Sequence, residues 1–296
     1  MNHLILPVLA GLVFSCAQSV AQPPEYTERI SKEFALPNGA AANTLVIYNI
    51  NGFVKVEGAA TDKVTLDVNK RITAKITDAL ETGKKEFKLV FEQKGDTIIA
   101  YIAEPFDSRP NRDADRRNNW RDRDDRHVDY DFTLDFTVKV PRAMNLCVST
   151  VNRGDVTVRD VTGALRVRNV NGAIALNNVR GTTDVHTING NVDANYLDSP
   201  PDASAYYTLN GNIRVNYPAN LSADLQFKTF QGEFYTDFSN TEILPVQVVK
   251  TRENQGDKTV YKLNKTTAIR VGSGGKVLRF ETFNGNVYIK NQSQSK

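Results

Sequence analysis

The chain has 296 residues, 40% hydrophobic and 24% charged, a composition too apolar for global disorder and ordinary for a folded protein. Its formal net charge of +3 is close to balance and gives no global electrostatic argument for nucleic acid or anionic lipid, and no nucleic acid is expected as a partner.

The N-terminus reads as an export signal. Leu4 to Phe14 is an apolar run of eleven residues, too short to cross a bilayer as a helix. Ser19-Val20-Ala21 then offers small residues where a signal peptidase requires them, so a signal over 1–21 with cleavage before Gln22 is the reading adopted. A rival is a lipoprotein signal, Val13-Phe14-Ser15-Cys16, with Cys16 lipidated. Residues 22–296 are expected to form a single exported domain in the periplasm or at the cell surface, without a transmembrane segment and with Cys16 as the candidate lipid anchor. Cleavage before Gln22 leaves Cys147 as the only thiol, so no intramolecular disulfide is expected. The alternating apolar run around Cys147 reads as the setting of a buried structural thiol.

Along the chain the strongest signal is self-similarity. Residues 44–68 read as strands and carry a first unit, Ile50-Asn-Gly-Phe-Val-Lys-Val56, with Asn51 and Gly52 at its corner. Residues 73–86 are the one plausible helix, capped at Gly83, and Phe87 to Ile102 alternates as a hairpin around Lys94-Gly-Asp96. Residues 107–131 form a charged insertion with seven Arg and eight Asp, interrupted by Trp120 and His127. It reads as a solvated segment whose charges largely cancel. The sharper alternatives are a polyelectrolyte contact site that includes Trp120, or a Ca²⁺ site from Asp113, Asp115, Asp122, Asp124 and Asp125. EF-hand spacing is absent, so no metal is expected. Phe132 to Val140 reads as a further strand, ended by Pro141.

Glycines then fall at 154, 163, 172, 181 and 190, nine residues apart, and Gly211 and Gly232 follow at intervals of twenty-one. Around them the text recurs as Val170-Asn-Gly-Ala-Ile-Ala-Leu176, Ile188-Asn-Gly-Asn-Val-Asp-Ala194, Leu209-Asn-Gly-Asn-Ile-Arg-Val215 and Phe230-Gln-Gly-Glu-Phe-Tyr-Thr236. Residues 245–270 read as a hairpin around Gln255-Gly-Asp257. Phe283-Asn-Gly-Asn-Val-Tyr-Ile289 repeats the unit within a segment, Leu278 to Ile289, expected to close the array.

Counted from each glycine, apolar residues sit at −2, +2 and +4. A two-residue hairpin would split that set across both faces of a meander. A corner within a continuing coil points all three inward, so the expected architecture is an all-β β-solenoid. Its stacked coils hold about 18–21 residues, with a strand-rich N-terminal portion and one short helix. Gly154, Gly232 and Asn284-Gly285 are further repeat corners, and Asn171-Gly172, Asn189-Gly190 and Asn210-Gly211 mark one edge. Gly163 and Gly181 mark the other. Glycine is expected there because the corner needs φ > 0, and stacked Asn side chains are expected to form a hydrogen-bonded ladder.

The Val138-Lys-Val-Pro141 transition, the x-Asn-Gly-x-Val/Ile units, and the Gly272-Ser-Gly-Gly275 approach to Thr282-Phe-Asn-Gly-Asn-Val287 resemble the bacterial β-strand-repeat adhesin family. The resemblance covers residues from about 40 to 290 and implies a β-solenoid body on a surface or periplasmic protein. It carries over no catalytic residues. The charged insertion departs from the pattern, and Arg153 stands where other units have Asn before glycine, so that corner is expected to be distorted.

His186 falls outward on an alternating strand, and no His cluster has metal-ligand spacing. Gly272-Ser-Gly-Gly-Lys276 lacks Walker spacing and reads as a glycine-rich corner. Asp184 and Asp193, outward on successive turns, are the acids a carbohydrate-active enzyme would use if they converged. Arg153-Gly154-Asp155 spells a receptor tripeptide, but the glycine register already accounts for Gly154. Tyr235 and Tyr288 share the outward +3 position, with Tyr196, Tyr206, Tyr207 and Tyr217 nearby, and suit a sugar or protein surface. The expectation is a non-catalytic adhesin or envelope scaffold without cofactor, binding an envelope protein or polysaccharide. The alternatives are a polysaccharide lyase or hydrolase, or an envelope-stress accessory protein.

Overall fold

The computed structural model describes residues 23–36, 38–110, 128–255 and 258–294. The signal segment, Cys16, Trp120, His127 and the five candidate Ca²⁺ ligands Asp113, Asp115, Asp122, Asp124 and Asp125 lie outside them. Among the described residues no helix is long and apolar enough to cross a membrane.

Alternating sequence produces alternating burial, and the described chain is mostly strand. In order these are β1 (Glu25–Ala35), β2 (Thr44–Tyr48), β3 (Val54–Ala59), β4 (Lys63–Ala74), β5 (Lys88–Lys94), β6 (Thr97–Glu104) and β7 (Tyr130–Pro141). Then come β8 (Asn145–Ser149), β9 (Val156–Arg159), β10 (Leu165–Arg168), β11 (Ile174–Val179), β12 (Thr183–Asn189), β13 (Val192–Tyr196), β14 (Ser204–Asn210) and β15 (Ile213–Tyr217). The chain finishes with β16 (Ala223–Gln231), β17 (Phe234–Thr236), β18 (Thr241–Gln255), β19 (Lys258–Val271), β20 (Val277–Asn284) and β21 (Val287–Asn291). The single α-helix among the described residues, α1 (Thr77–Glu86), starts later than expected and runs past Gly83. Gly83 is not a cap: it lies inside the helix, where a Cβ would stand 2.7 Å from the Tyr130 ring.

The strands form two open sheets. One runs β1-β4-β7-β3-β9-β11-β13-β15-β21-β17, the other β18-β19-β16-β20-β14-β12-β10-β8-β2-β6-β5. From β6 to β16 and from β7 to β17 the neighbours are parallel and in register, so the sheets match layer for layer. Each layer supplies one strand to each sheet, and in every layer but β6–β7, whose strands are separated by residues 105–129, a corner joins the two. Antiparallel strands flank the array: β4 and β1 beyond β7, β5 beyond β6, and the β18–β19 hairpin beyond β16.

Layer order departs from chain order at both ends. The β20–β21 layer does not close the array. It is seated between the β14–β15 and β16–β17 layers, so Gly285 lies on Gly211 and Gly232 lies on Gly285. The β2–β3 layer is likewise seated between β6–β7 and β8–β9. The twenty-one-residue step from Gly211 to Gly232 therefore spans two layers.

Inside, Ile174, Leu176, Val192, Ile213, Val215, Val287 and Ile289 are fully or almost fully buried, as the +2 and +4 positions require. The −2 position does not join them. Val170, Ile188 and Leu209 are only half-buried, and Phe230 and Phe283 are exposed. The inward position is −3. There Thr187 donates to the Gly172 carbonyl (2.9 Å), Thr208 to Gly190 (2.8 Å) and Thr282 to Gly211 (3.1 Å). Asn169 donates to the Gly154 carbonyl (3.1 Å). A buried polar group needs such a partner, and this one also ties each layer to its neighbour.

The reason for glycine also differs from the expectation. Gly52, Gly232 and Gly285 have φ of 113°, 156° and 155°, but Gly154, Gly172, Gly190 and Gly211 keep φ outside the left-handed range. What they share is close approach. A Cβ on Gly190 would stand 2.1 Å from the Gly172 carbonyl oxygen, and one on Gly211 2.1 Å from that of Gly190. The Arg153 corner carries an extra residue. Asn152, not Arg153, holds the ladder place beside Asn171, and Arg153 takes up the extra length at φ 61°.

Candidate functional site

The corners of the Asn-Gly edge build four columns that run from layer to layer. The first is polar: Asn171 donates to Asn152 (2.7 Å), Asn189 to Asn171 (2.8 Å), Asn210 to Asn189 (2.8 Å) and Asn284 to Asn210 (2.7 Å). The second is the chain of −3 bonds to glycine carbonyls. The third is the outward apolar −2 column, Ile50, Val151, Val170, Ile188, Leu209, Phe283 and Phe230. Its last two rings stack at 4.7 Å, with Phe230 72% exposed. The fourth is the outward +3 column, where Arg214 lies 5.8 Å over the Tyr288 ring and Tyr288 stacks on Tyr235 at 5.0 Å. Glu233 accepts the Tyr235 hydroxyl bond, which raises the pKa of that phenol.

Tyr235 and Tyr288 thus meet at one end of the array, beside Phe230 and Phe283. The sequence does not single out the two phenylalanines, because their apolar −2 position reads as inward. Three other tyrosines belong to the core. Tyr196, Tyr206 and Tyr217 are buried, with hydroxyls linked at 2.6 and 3.1 Å, and Tyr196 donates to Thr183 at 2.5 Å. Burial pushes Tyr196 up to about 12 and the other two well above the usual phenol range. Tyr207 alone of the group faces outward, stacked on His186 at 4.1 Å. Burial first, and then Arg168, lowers the pKa of His186.

The acids weighed for catalysis do not converge. Asp184 lies on β12 in one sheet and Asp193 on β13 in the other. Asp184 is held by Arg168 (2.5 Å) and Arg166 (3.6 Å), and Asp193 by Arg214 (3.3 Å). Asp184 and its arginines border a shallow groove of about 710 Å³ with Tyr48, Asp107 and Cys147. Cys147 sits on the outer face of β8, half-buried, instead of in the core, and burial raises its pKa. Arg153 is engaged by Asp131.

The Asn-Gly edge ends at Gly232, and Gly163 and Gly181 stack at the opposite corner, where a Cβ on Gly181 would meet the Gly163 carbonyl. Asn51 of the first unit bridges to Asn152, and Gly52 packs on the Leu134 carbonyl. Gly272, Gly274 and Gly275, all at positive φ, form the turn from β19 into β20.

No family model matches the chain, and no curated protein does. Among solved structures it is similar to a "putative cell adhesion protein" of Clostridium sporogenes, at 12% identity over 92% of this chain and 100% of that one, with TM-score 0.42. A "putative adhesin" of Bacteroides fragilis matches at 12% identity over 89% and 97%, TM-score 0.37. A "putative lipid binding protein" of Parabacteroides distasonis matches at 9% identity over 88% and 96%, TM-score 0.26. Superpositions this loose carry no functional argument.

Proposed function

We propose that the chain is an exported, non-catalytic binding protein of adhesin or envelope-scaffold type, built as a β-solenoid of stacked coils. The observation that supports this reading is the set of continuous outward columns. They hold polar, apolar and aromatic side chains in fixed register over successive layers and gather exposed rings at one end. Such a surface binds through many repeated contacts made by pre-positioned side chains, which lose little rotamer freedom when a partner docks. The outward acids are held in ion pairs with arginines, an arrangement suited to a solvated face.

The test is retention of the purified chain on washed cell envelopes and on their isolated polysaccharide, alongside an assay for release of reducing or unsaturated ends. Retention without turnover is the expected result. Turnover abolished by Asp184→Asn or Asp193→Asn would replace this reading with a carbohydrate-active enzyme.

A further inference from the structure

The layer-to-layer interface follows one rule at the Asn-Gly edge. The next layer sets its −2 side chain over the −2 side chain below, its glycine over the glycine below and its +3 side chain over the +3 side chain below. Its −3 Thr or Asn donates to the glycine carbonyl below. All of these contacts stop at the β16–β17 layer. The Gly285 carbonyl still receives Thr229 at 3.4 Å, but no side chain of residues 128–245 or 267–293 and no described backbone amide donates to the Gly232 carbonyl. Phe230 and Tyr235 are the last rings of their columns, 72% and 44% exposed.

The backbone stops at the same place. β19 pairs with β16 only from Ala223 to Phe227, then continues with β18 alone. Neither Lys228–Gln231 of β16 nor β17 has a pairing partner on its outer side among the described residues. Proteins usually cover or charge such an edge. Here the first five paired residues of β16 are covered by the hairpin, and the nine residues from Lys228 to Thr236 are left as a ledge.

We propose that this ledge accepts an extended polypeptide strand from another protein, added as one more parallel layer by β-augmentation. Continuity with the layer interface specifies its chemistry. It carries Thr or Asn to donate to the Gly232 carbonyl, an apolar residue to cover Phe230, Gly or another small residue over Gly232, and an aromatic residue over Tyr235. In a second copy of this chain the units at glycines 52, 154, 172, 190, 211 and 285 are each seated between two layers, and the Gly232 unit presents the same ledge again, not the strand that would fill it. The inference deepens the binding-protein reading by naming the kind of partner and where it docks.

The probe is a fluorescent synthetic peptide with the sequence of residues 281–290 (ETFNGNVYIK), titrated against the full mature chain, with a scrambled peptide as control. Saturable binding is expected, weakened about tenfold or more by Phe230→Ser and by Tyr235→Ser with the melting temperature held. Hydrogen exchange should show new protection at 228–236 and unchanged protection at 277–291. Binding indifferent to both substitutions would overturn the proposal. So would loss of protection at 277–291, which marks exchange with the chain's own β20–β21. A dimer that buries Phe230 would also overturn it, by assigning the ledge to a second copy, as would capture of envelope polysaccharide by the ledge in place of the peptide. If the ledge fails while the chain is still retained on envelopes, the binding-protein reading stands and only this site falls.

Discussion

Thr208 and its equivalents do two jobs with one hydroxyl: they fill an inward position and satisfy a glycine carbonyl one layer away. Thr208→Val keeps the shape and removes the donor, leaving the Gly190 carbonyl without that bond. It should cost about 1–3 kcal/mol in thermal or urea unfolding. Thr229→Val, at the end layer with a longer 3.4 Å contact, should cost less. The text Thr-x-Asn-Gly is visible at Thr187, Thr208 and Thr282, so this role was legible in principle. Hydrophobicity alone hides it, because an apolar −2 residue ranks above a polar −3 one for the inward face, while hydrogen-bonding capacity ranks them the other way.

The buried tyrosines give a second test at the same scale. A phenol ionises near 10 in the unfolded chain and near 12 at Tyr196 in the folded one, so between those values the folded state binds more protons. Stability is therefore fully present below about pH 10 and lost as pH rises toward 12. Alkaline unfolding should coincide with tyrosinate absorbance, and Tyr196→Phe should flatten that dependence. The sequence sets these tyrosines only near Tyr235 and Tyr288 along the chain; their face depends on strand parity carried through the loop at 197–203 and the corners, which no local pattern contains.

At the scale of elements, the helix and both hairpins were readable because their signals are local: a glycine turn between alternating runs, and a 3.6-residue pattern at 77–86. Gly83 shows where local reading ends. Helix propensity alone favours Gly83→Ala by about 1 kcal/mol. The Tyr130 ring, 2.7 Å from a Cβ built there, reverses the sign. The variant should melt below the wild type, and Gly83→Ala combined with Tyr130→Leu should recover part of the loss. The tyrosine comes from a strand more than forty residues away, which no local pattern contains.

At the scale of the whole molecule, paired sheets of strands were legible and their order was not. The units at Gly211, Gly232 and Gly285 carry nearly the same text and make nearly the same contacts. Their glycine spacing therefore leaves open which lies on which. The hairpin between them decides, because β19 pairs with β16 on the side opposite β20. A linear array frays from its ends. Here amides of 278–289 should exchange as slowly as those of the central strands β12 and β13, and more slowly than those of β17, although they lie near the C-terminus. Hydrogen exchange read by mass spectrometry checks this directly.

The seat of β20–β21 has a consequence for biogenesis. As the polypeptide emerges from N- to C-terminus, the strip that belongs beneath β16–β17 is made after it. The nascent molecule therefore cannot finish that end while its last residues are still being synthesised. Until they arrive, the aromatic undersides of Phe227 and Tyr206 lack the Phe280 ring that separates them. Closure of the vacancy therefore waits for residues 277–291, and until then two aromatic faces, those of Tyr206 and Phe227, stay uncovered.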